Sequence, residues 1–193
     1  MAGPSVPLAD RIAEIANSVG VPTSLIGAYA LAVHRYVRGT EDIDLATSVQ
    51  LDQLYELKRA LEREGLNATL RLPDEEDELG GVITIWTDVD EDGDPLYPVE
   101  IINFYNPLRP RRNPASDAVH HAIPVEGSHA LRYPRLADLI ALKLDAGGLQ
   151  DQADIVAVLI ANPDADLAVI RSTCKSYGLE GIDQLIAAAQ SQA

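Results

Sequence analysis

Apolar residues recur along the chain with two periods, one near 3.6 and one near 2, and the switches between them mark out its elements. Leu8, Ile12, Ile15 and Ala16 repeat at helical spacing and stop before Gly20, which predicts a helix over residues 8–18. It leads into a first strand at Thr23–Ile26, and Ala28–Val37 then reads as helix. A strand over Asp42–Thr47 follows, and Leu51, Leu54, Leu57 and Leu61 form the stripe of a helix that stops at Gly65. Thr47 and Gln50 stand at capping-box spacing ahead of it.

Asn67–Leu72 reads as a strand and the acidic stretch Pro73–Leu79 as a loop. Gly81–Thr87 and Tyr97–Phe104 are β-branched and aromatic, and they face each other as a hairpin across an Asp-Gly turn. In Tyr97–Phe104, Val99 and Ile101 point one way and Ile102 and Phe104 the other, as in a strand buried on both sides. Ala118–Val125 and His129–Leu131 suggest further short strands. From Pro134 the period is helical to the end. Leu136, Leu139, Ile140 and Leu144 form one stripe, and a second helix ends near Ala161 before Pro163. Asp166 caps a third that ends at Gly178, and Ile182–Ala189 forms a fourth. The order predicts an α/β (α+β) protein, a mixed sheet flanked by helices with a C-terminal helical portion. Its 193 residues suit one domain, or an α/β core over 1–131 with a helical portion over 132–193 packed on it.

Composition narrows the function classes. No stretch approaches the roughly 18–20 apolar residues of a membrane helix. Residues 1–10 lack the basic start and apolar run of a signal peptide, so a cytoplasmic location without a membrane partner is expected. The 30 acidic and 15 basic side chains give a formal charge of −15, which repels polyanions unless a local basic patch intervenes. Arg109, Arg111 and Arg112 form one such cluster, in a Pro-rich loop that either grips phosphates or an acidic partner or is simply solvated. Cys174 is the only cysteine and falls in a helical pattern, so a buried thiol is expected. His120 and His121 are adjacent in a segment read as strand, where they point to opposite faces and chelate poorly together. Asp88–Gly93 opens like a calcium loop, but Val99 stands at the twelfth position, so an acidic hairpin tip is the better reading. There is no Walker loop, Gly-x-Gly-x-x-Gly, Gly-x-Ser-x-Gly or Cys-x-x-Cys.

Candidate chemistry concentrates between Leu25 and Thr47. Ile43 and Leu45 point one way from their strand and Asp42 and Asp44 the other, with Cα atoms about 6.6 Å apart at strand rise. Their oxygens can converge on divalent cations, including a pair about 3.5–4 Å apart. Upstream, Gly27 opens a helical stretch where a residue without a side chain lets a phosphate approach backbone N–H groups. Two further charges have apolar neighbours. Glu100 needs a metal, a proton or a cation if its strand is buried on both sides, and is ordinary if that end is exposed. Lys143 lies in the Leu136 stripe and must snorkel out or meet an anion. Asp151 and Asp154 read as residues that cap and orient the helix ending near Ala161.

Taken together, Gly27, Arg38, Thr40, Asp42 and Asp44 resemble the signature of the polymerase-beta-type nucleotidyltransferase superfamily. That signature is a Gly-Gly or Gly-Ser turn after the first strand, a helix, then Arg-x-Thr-x-Asp-x-Asp. The branch most similar is the minimal, abortive-infection toxin-like one. Here Ala28 takes the second place of the turn. The resemblance covers Leu25 to Leu159 and implies a nucleotidyltransferase-like mixed sheet. It also implies transfer of a nucleoside monophosphate from a triphosphate such as ATP to a hydroxyl, in a toxin–antitoxin or antibiotic-modifying setting. Asp42, Asp44 and Glu100 would be the catalytic carboxylates and the ligands of two magnesium ions, with Glu100 on the strand beside the Asp-x-Asp strand. Gly27, Ala28, Arg38, Thr40 and Lys143 would bind the nucleotide. Implied partners are the nucleoside triphosphate, an acceptor, and a cognate antitoxin or a second copy of the chain. The negative charge favours a small-molecule or protein acceptor over tRNA. Two other readings use the same residues. One is a catalytically impaired nucleotide- or partner-binding module, marked by Ala28 and by Gly147–Asp151, which keeps only the Asp of the family's Lys-Asp pair. The other is an interaction protein in which Asp42 and Asp44 are a solvated strand face.

Overall fold

In the computed structural model, which describes residues 5–40 and 42–192, the period-2 segments meet in one mixed sheet of five strands. The chain runs α1 (Val6–Ser18), β1 (Ser24–Leu25), α2 (Gly27–Val33), β2 (Ile43–Thr47), α3 (Leu51–Arg63), β3 (Asn67–Arg71), β4 (Val82–Trp86) and β5 (Val99–Asn103). It continues through α4 (Ala115–His120), a small pair β6 (Ile123–Pro124) and β7 (Arg132–Tyr133), then α5 (Leu136–Ala146), α6 (Leu149–Ala161), α7 (Leu167–Ser176) and α8 (Ile182–Gln190). The sheet order is β1-β2-β5-β4-β3. Only β2 and β5 pair in parallel; the other neighbours are antiparallel.

Strand alternation gives the two faces of the sheet different characters. Ile43, Leu45, Ile83, Ile85, Val99 and Ile101 are buried on one face, in a core shared with Leu54, Leu57 and Leu61 of α3 and Ile12 of α1. Each such side chain contributes about 1.5–3 kcal/mol by leaving water. On the opposite face the C-terminal ends of β2 and β5 are covered, with Ala46 and Ile102 packed against Ala115 and Val119 of α4 and Leu142 of α5. Asp44 and Glu100, two residues earlier on the same face, stay only half-buried. The main core is continuous with the C-terminal helices through Leu139, Ile155, Ile170, Cys174 and Ile186. Cys174 is fully buried, and burial pushes its thiol up to about 11. Among the described residues no helix is long and apolar enough to cross a membrane.

Several local expectations change in three dimensions. The segment read as strand from Ala118 begins instead as α4, because Asn113 Oδ1 accepts from Ala115 N at 3.0 Å and Ala115, Ala118 and Val119 share a buried helical face. His120 and His121 therefore belong to the end of a helix. The helix expected to reach Val37 stops at Val33: Asn162 Nδ2 binds the His34 carbonyl at 2.6 Å, and Arg35 takes a left-handed φ of 64°. The capping box ahead of α3 is formed by Gln50 and Gln53, not by Thr47. Thr47 instead donates its hydroxyl to the Pro22 carbonyl at 2.8 Å. Between β4 and β5 the chain makes a longer excursion than a tight Asp-Gly turn, closed by a bridge between Val89 and Pro95.

Two buried polar junctions hold segments that are distant in sequence. Asn103, with no exposed surface, accepts from Val49 N at 2.9 Å and donates to the carbonyls of Val49 (3.0 Å) and Gly80 (3.1 Å). A Cβ on Gly80 would lie 1.8 Å from the Tyr105 carbonyl oxygen, so this crossing admits only glycine. Asn103→Leu strands these groups and is expected to cost roughly 2–4 kcal/mol, since each unpaired buried group costs about 1–3 kcal/mol. The urea midpoint reads that loss.

The second junction is Asp10 on α1, which accepts from the backbone N–H of His129, Ala130 and Leu131 and from the Ser128 hydroxyl. Partial burial raises its pKa, but these four bonds outweigh it and hold the carboxyl at about 2. A folded pKa below the unfolded one gives stability that is complete above the unfolded value and is lost as pH falls through the folded one. Asp10→Asn is therefore expected to melt lower at neutral pH and to lose less stability than the parent between about pH 4 and pH 2. Thermal melts across that range compare the two slopes.

Candidate active site

Register brings the carboxylates together. β2 and β5 run in parallel with Asp44 opposite Glu100, so both project from the same sheet face. Thr84 of β4 lies opposite Glu100 on its other side and donates its hydroxyl to Glu100 Oε1 at 3.1 Å. Asp42, just ahead of β2, is exposed, and the Thr40 hydroxyl donates to its carbonyl at 3.1 Å. Burial, then the charges of Glu100 and Asp42, push the Asp44 carboxyl above the usual range against the opposing pull of Arg38 and Lys143. A nearby cation relieves such crowding of negative charge.

Gly27 is demanded by its backbone and also leaves the Asp44 carboxylate its place. Its φ of +60° lies in the left-handed region, and a Cβ there would stand 2.4 Å from Asp44 Oδ2. In the fold the first consequence of that missing side chain is room for the Asp44 carboxylate, ahead of any approaching phosphate. Ile26 N–H donates to the Asp44 carbonyl at 2.9 Å and fixes the turn against the strand. Among the described residues no side chain caps α2.

A cleft of about 500 Å³ opens beside this turn, with Ile26, Leu139 and Leu142 as an apolar wall. Gly27, Arg38, Asp44 and Lys143, all singled out in the sequence, line it. Asp42, Thr40, Glu100 and the buried Ala28 lie outside its lining. Among the described residues no three carboxylate, histidine or cysteine side chains converge into a ready-made metal cage. Asp42, Asp44 and Glu100 are hard oxygen donors by type, the kind that magnesium prefers to zinc, and they are not gathered into one such group.

Lys143 meets anions instead of snorkelling. It is 7% exposed, and its Nζ donates to Asp154 Oδ2 at 2.7 Å and to Asp151 Oδ1 at 3.1 Å. Asp154 is 0% exposed; its Oδ1 accepts from Gln150 Nε2 at 2.9 Å, and Arg38 Nε stands 3.4 Å away. The capping role read for Asp154 is thereby corrected: Gly148 is the N-cap of α6, and Asp154 lies inside the helix as the hub of a buried ion network. Periodicity held a signal for this, because Asp154 falls beside Ile155 and Val158 on the apolar face. Arg38 Nε is buried and, among the described residues, makes no hydrogen bond; its contact with Asp154 is an ion pair.

Arg111 is a cleft residue that the sequence did not separate from its neighbours. It makes two bonds to Asp145, at 2.9 and 2.7 Å, and one ion pair with Glu78 at 2.7 Å. Arg109 donates to the carbonyls of Glu75 and Glu76, and the Arg112 guanidinium lies 4.9 Å from the Tyr177 ring centre. The basic cluster is thus engaged by the chain itself. Its opposite charge to the acidic run Asp74–Glu78 was the available clue.

Neither a family model nor a curated protein matches the chain. Among solved structures, an antigenic nucleotidyltransferase-like protein from Paracoccidioides brasiliensis is similar at 13% identity, covering 98% of this chain and 95% of its own, with a TM-score of 0.50. ANT(2'')-Ia, solved in complex with adenylyl-2''-tobramycin, is 21% identical over 97% of both chains, with a TM-score of 0.43. The chain has the nucleotidyltransferase-like fold, an α+β architecture built on a mixed sheet, and at these identities the likeness is one of fold.

Proposed function

We propose that this chain is a metal-dependent nucleotidyltransferase that moves a nucleoside monophosphate from a nucleoside triphosphate to a hydroxyl, with pyrophosphate leaving. The observation that supports this most is the fit of Asp44 into the space left by Gly27, with Glu100 opposite it in register and the cleft alongside. Asp42, Asp44 and Glu100 would hold magnesium, which when bound neutralises charge on the phosphoryl oxygens. Arg38 lines the cleft with about a third of its side chain exposed, and its guanidinium offers positive charge to a phosphate. Glu100, oriented by the Thr84 hydroxyl, can accept the proton of the attacking hydroxyl. The wall of Ile26, Leu139 and Leu142 offers apolar surface to a base or an acceptor and keeps water from it. A toxin with a cognate antitoxin and an antibiotic-modifying enzyme share this chemistry and differ in the acceptor.

A second reading, nucleotide binding without turnover, is favoured by one observation: the Lys143 ammonium is already balanced by two carboxylates.

Replacing Asp42 and Asp44 together by Asn is expected to abolish magnesium-dependent triphosphate binding. The fold should hold or gain stability, because Asp44 ionises less readily in the fold than in the unfolded chain and its charge therefore costs stability at neutral pH. Calorimetry on both proteins checks the first outcome and thermal melts the second; equal binding by the double variant would remove the metal assignment.

Charge supports a small-molecule or protein acceptor over tRNA. With a net −15 and Arg109, Arg111 and Arg112 engaged internally, tRNA is expected to bind no tighter than about 10⁻⁴ M at physiological salt. Triphosphate labelled at the α-phosphate, incubated with total tRNA, cell protein and a metabolite extract, should label protein or small molecules. Label found mainly in tRNA would reverse the choice of acceptor and leave the transferase reading in place.

A further inference from the structure

Lys143 is held by two carboxylates that differ in their access to water. Asp154 is fully buried, whereas 28% of the Asp151 side chain is exposed and Asp151 lines the cleft. A fully buried carboxylate that loses its cation is stranded in a medium of low dielectric. A partly exposed one is not, because water takes the place of the lost partner. Asp151 also sits in the first turn of α6, where the helix dipole favours a negative charge whether or not Lys143 is attached. As it stands the network is neutral, Lys143 and Arg38 against Asp151 and Asp154. A triphosphate gains positive charge from this wall only if one carboxylate yields.

We propose that Asp151 is an internal stand-in for a phosphate oxygen: its carboxylate holds the Lys143 ammonium in the free protein and yields it to the nucleotide, while Asp154 stays bound. The inference rests on the nucleotidyltransferase reading. Gly148 adds a steric observation. Its φ of −65° makes no demand for glycine, yet a Cβ there would come within 2.9 Å of Asp151 Oδ2. The absent side chain leaves the Asp151 carboxylate its seat. Asp154 is a positioning residue that acts through Lys143 and Arg38.

Calorimetric titration of magnesium ATP, and separately of inorganic tripolyphosphate, into the full chain tests this. Tripolyphosphate carries no base and so reports the phosphate subsite alone. Asp151→Asn is expected to bind both about tenfold more tightly, because apparent affinity is reduced by the fraction of molecules in which Lys143 is free to respond. Gly148→Ala keeps the charge but crowds its seat, and is expected to raise affinity less, about two- to threefold. Asp154→Asn should lower affinity about tenfold; if that variant does not fold, the two variants on the Asp151 side decide. A purely structural ion pair predicts a lower melting temperature for Asp151→Asn with no gain in affinity. That result, in a parent chain that binds, overturns the stand-in and leaves the transferase reading intact. A chain that binds neither probe in any variant overturns both.

Discussion

The parallel pairing of β5 with β2 is the constraint on which the candidate site depends. A parallel neighbour cannot be reached by a tight turn, so the chain must cross over before it returns. Here the crossover is α3, β3 and β4, and it leaves α3 over the face that carries Ile43, Leu45, Val99 and Ile101. The same register sets Asp44 against Glu100 on the other face, where α4 and Leu142 of α5 cover the far ends of both strands. One residue of slip in that pairing would break the match of Asp44 with Glu100 and move apolar side chains out of the core. The hydrophobic pattern that secures the core thus also secures the carboxylate pair.

Charge is arranged against the apparent economy of the fold. Asp44 is crowded by like charges, and Lys143 and Asp154 are taken almost wholly out of water. A buried ion pair is weak evidence for stability, because a well-packed apolar pair of the same volume often serves as well, while loss of one partner costs about 3–5 kcal/mol. What the pair does secure is geometry: a lysine on an apolar helix face is held beside the cleft instead of reaching for solvent. The overall charge of −15 then sits on a molecule whose cleft cations are each met by an acidic neighbour. Such a surface disfavours polyanions as partners and leaves compact substrates, whose charge a metal can balance, at less disadvantage.

Much of this was legible in the sequence. The period of the apolar residues carries most of the alternation of helix and strand, and strand alternation puts Asp44 on the face opposite Ile43 and Leu45, because both depend only on local geometry, whereas Asp42 lies just ahead of β2. The turn glycine and the capping role of Asp166, whose carboxylate accepts from Ala168 N and Val169 N, are equally local. The short buried run Ala118–His121 has no period of its own, and the bond from Ala115 N to the Asn113 side chain and the packing of α4 settle it as helix. The early end of α2 was hidden for a similar reason, since the residue that stops it, Asn162, lies 128 positions away.

Sequence alone determined most of the elements, the strand that carries Asp44 and the net charge, since each is a property of neighbours along the chain. Only the tertiary structure decided that Glu100 stands opposite Asp44, that Gly27 makes room for Asp44, that Asp154 is a buried hub rather than a cap, and that the arginine cluster is engaged by the chain itself. Those four outcomes depend on contacts between residues far apart in sequence. The energy of such a contact is set by what surrounds both partners, and burial is known only once the whole chain has packed.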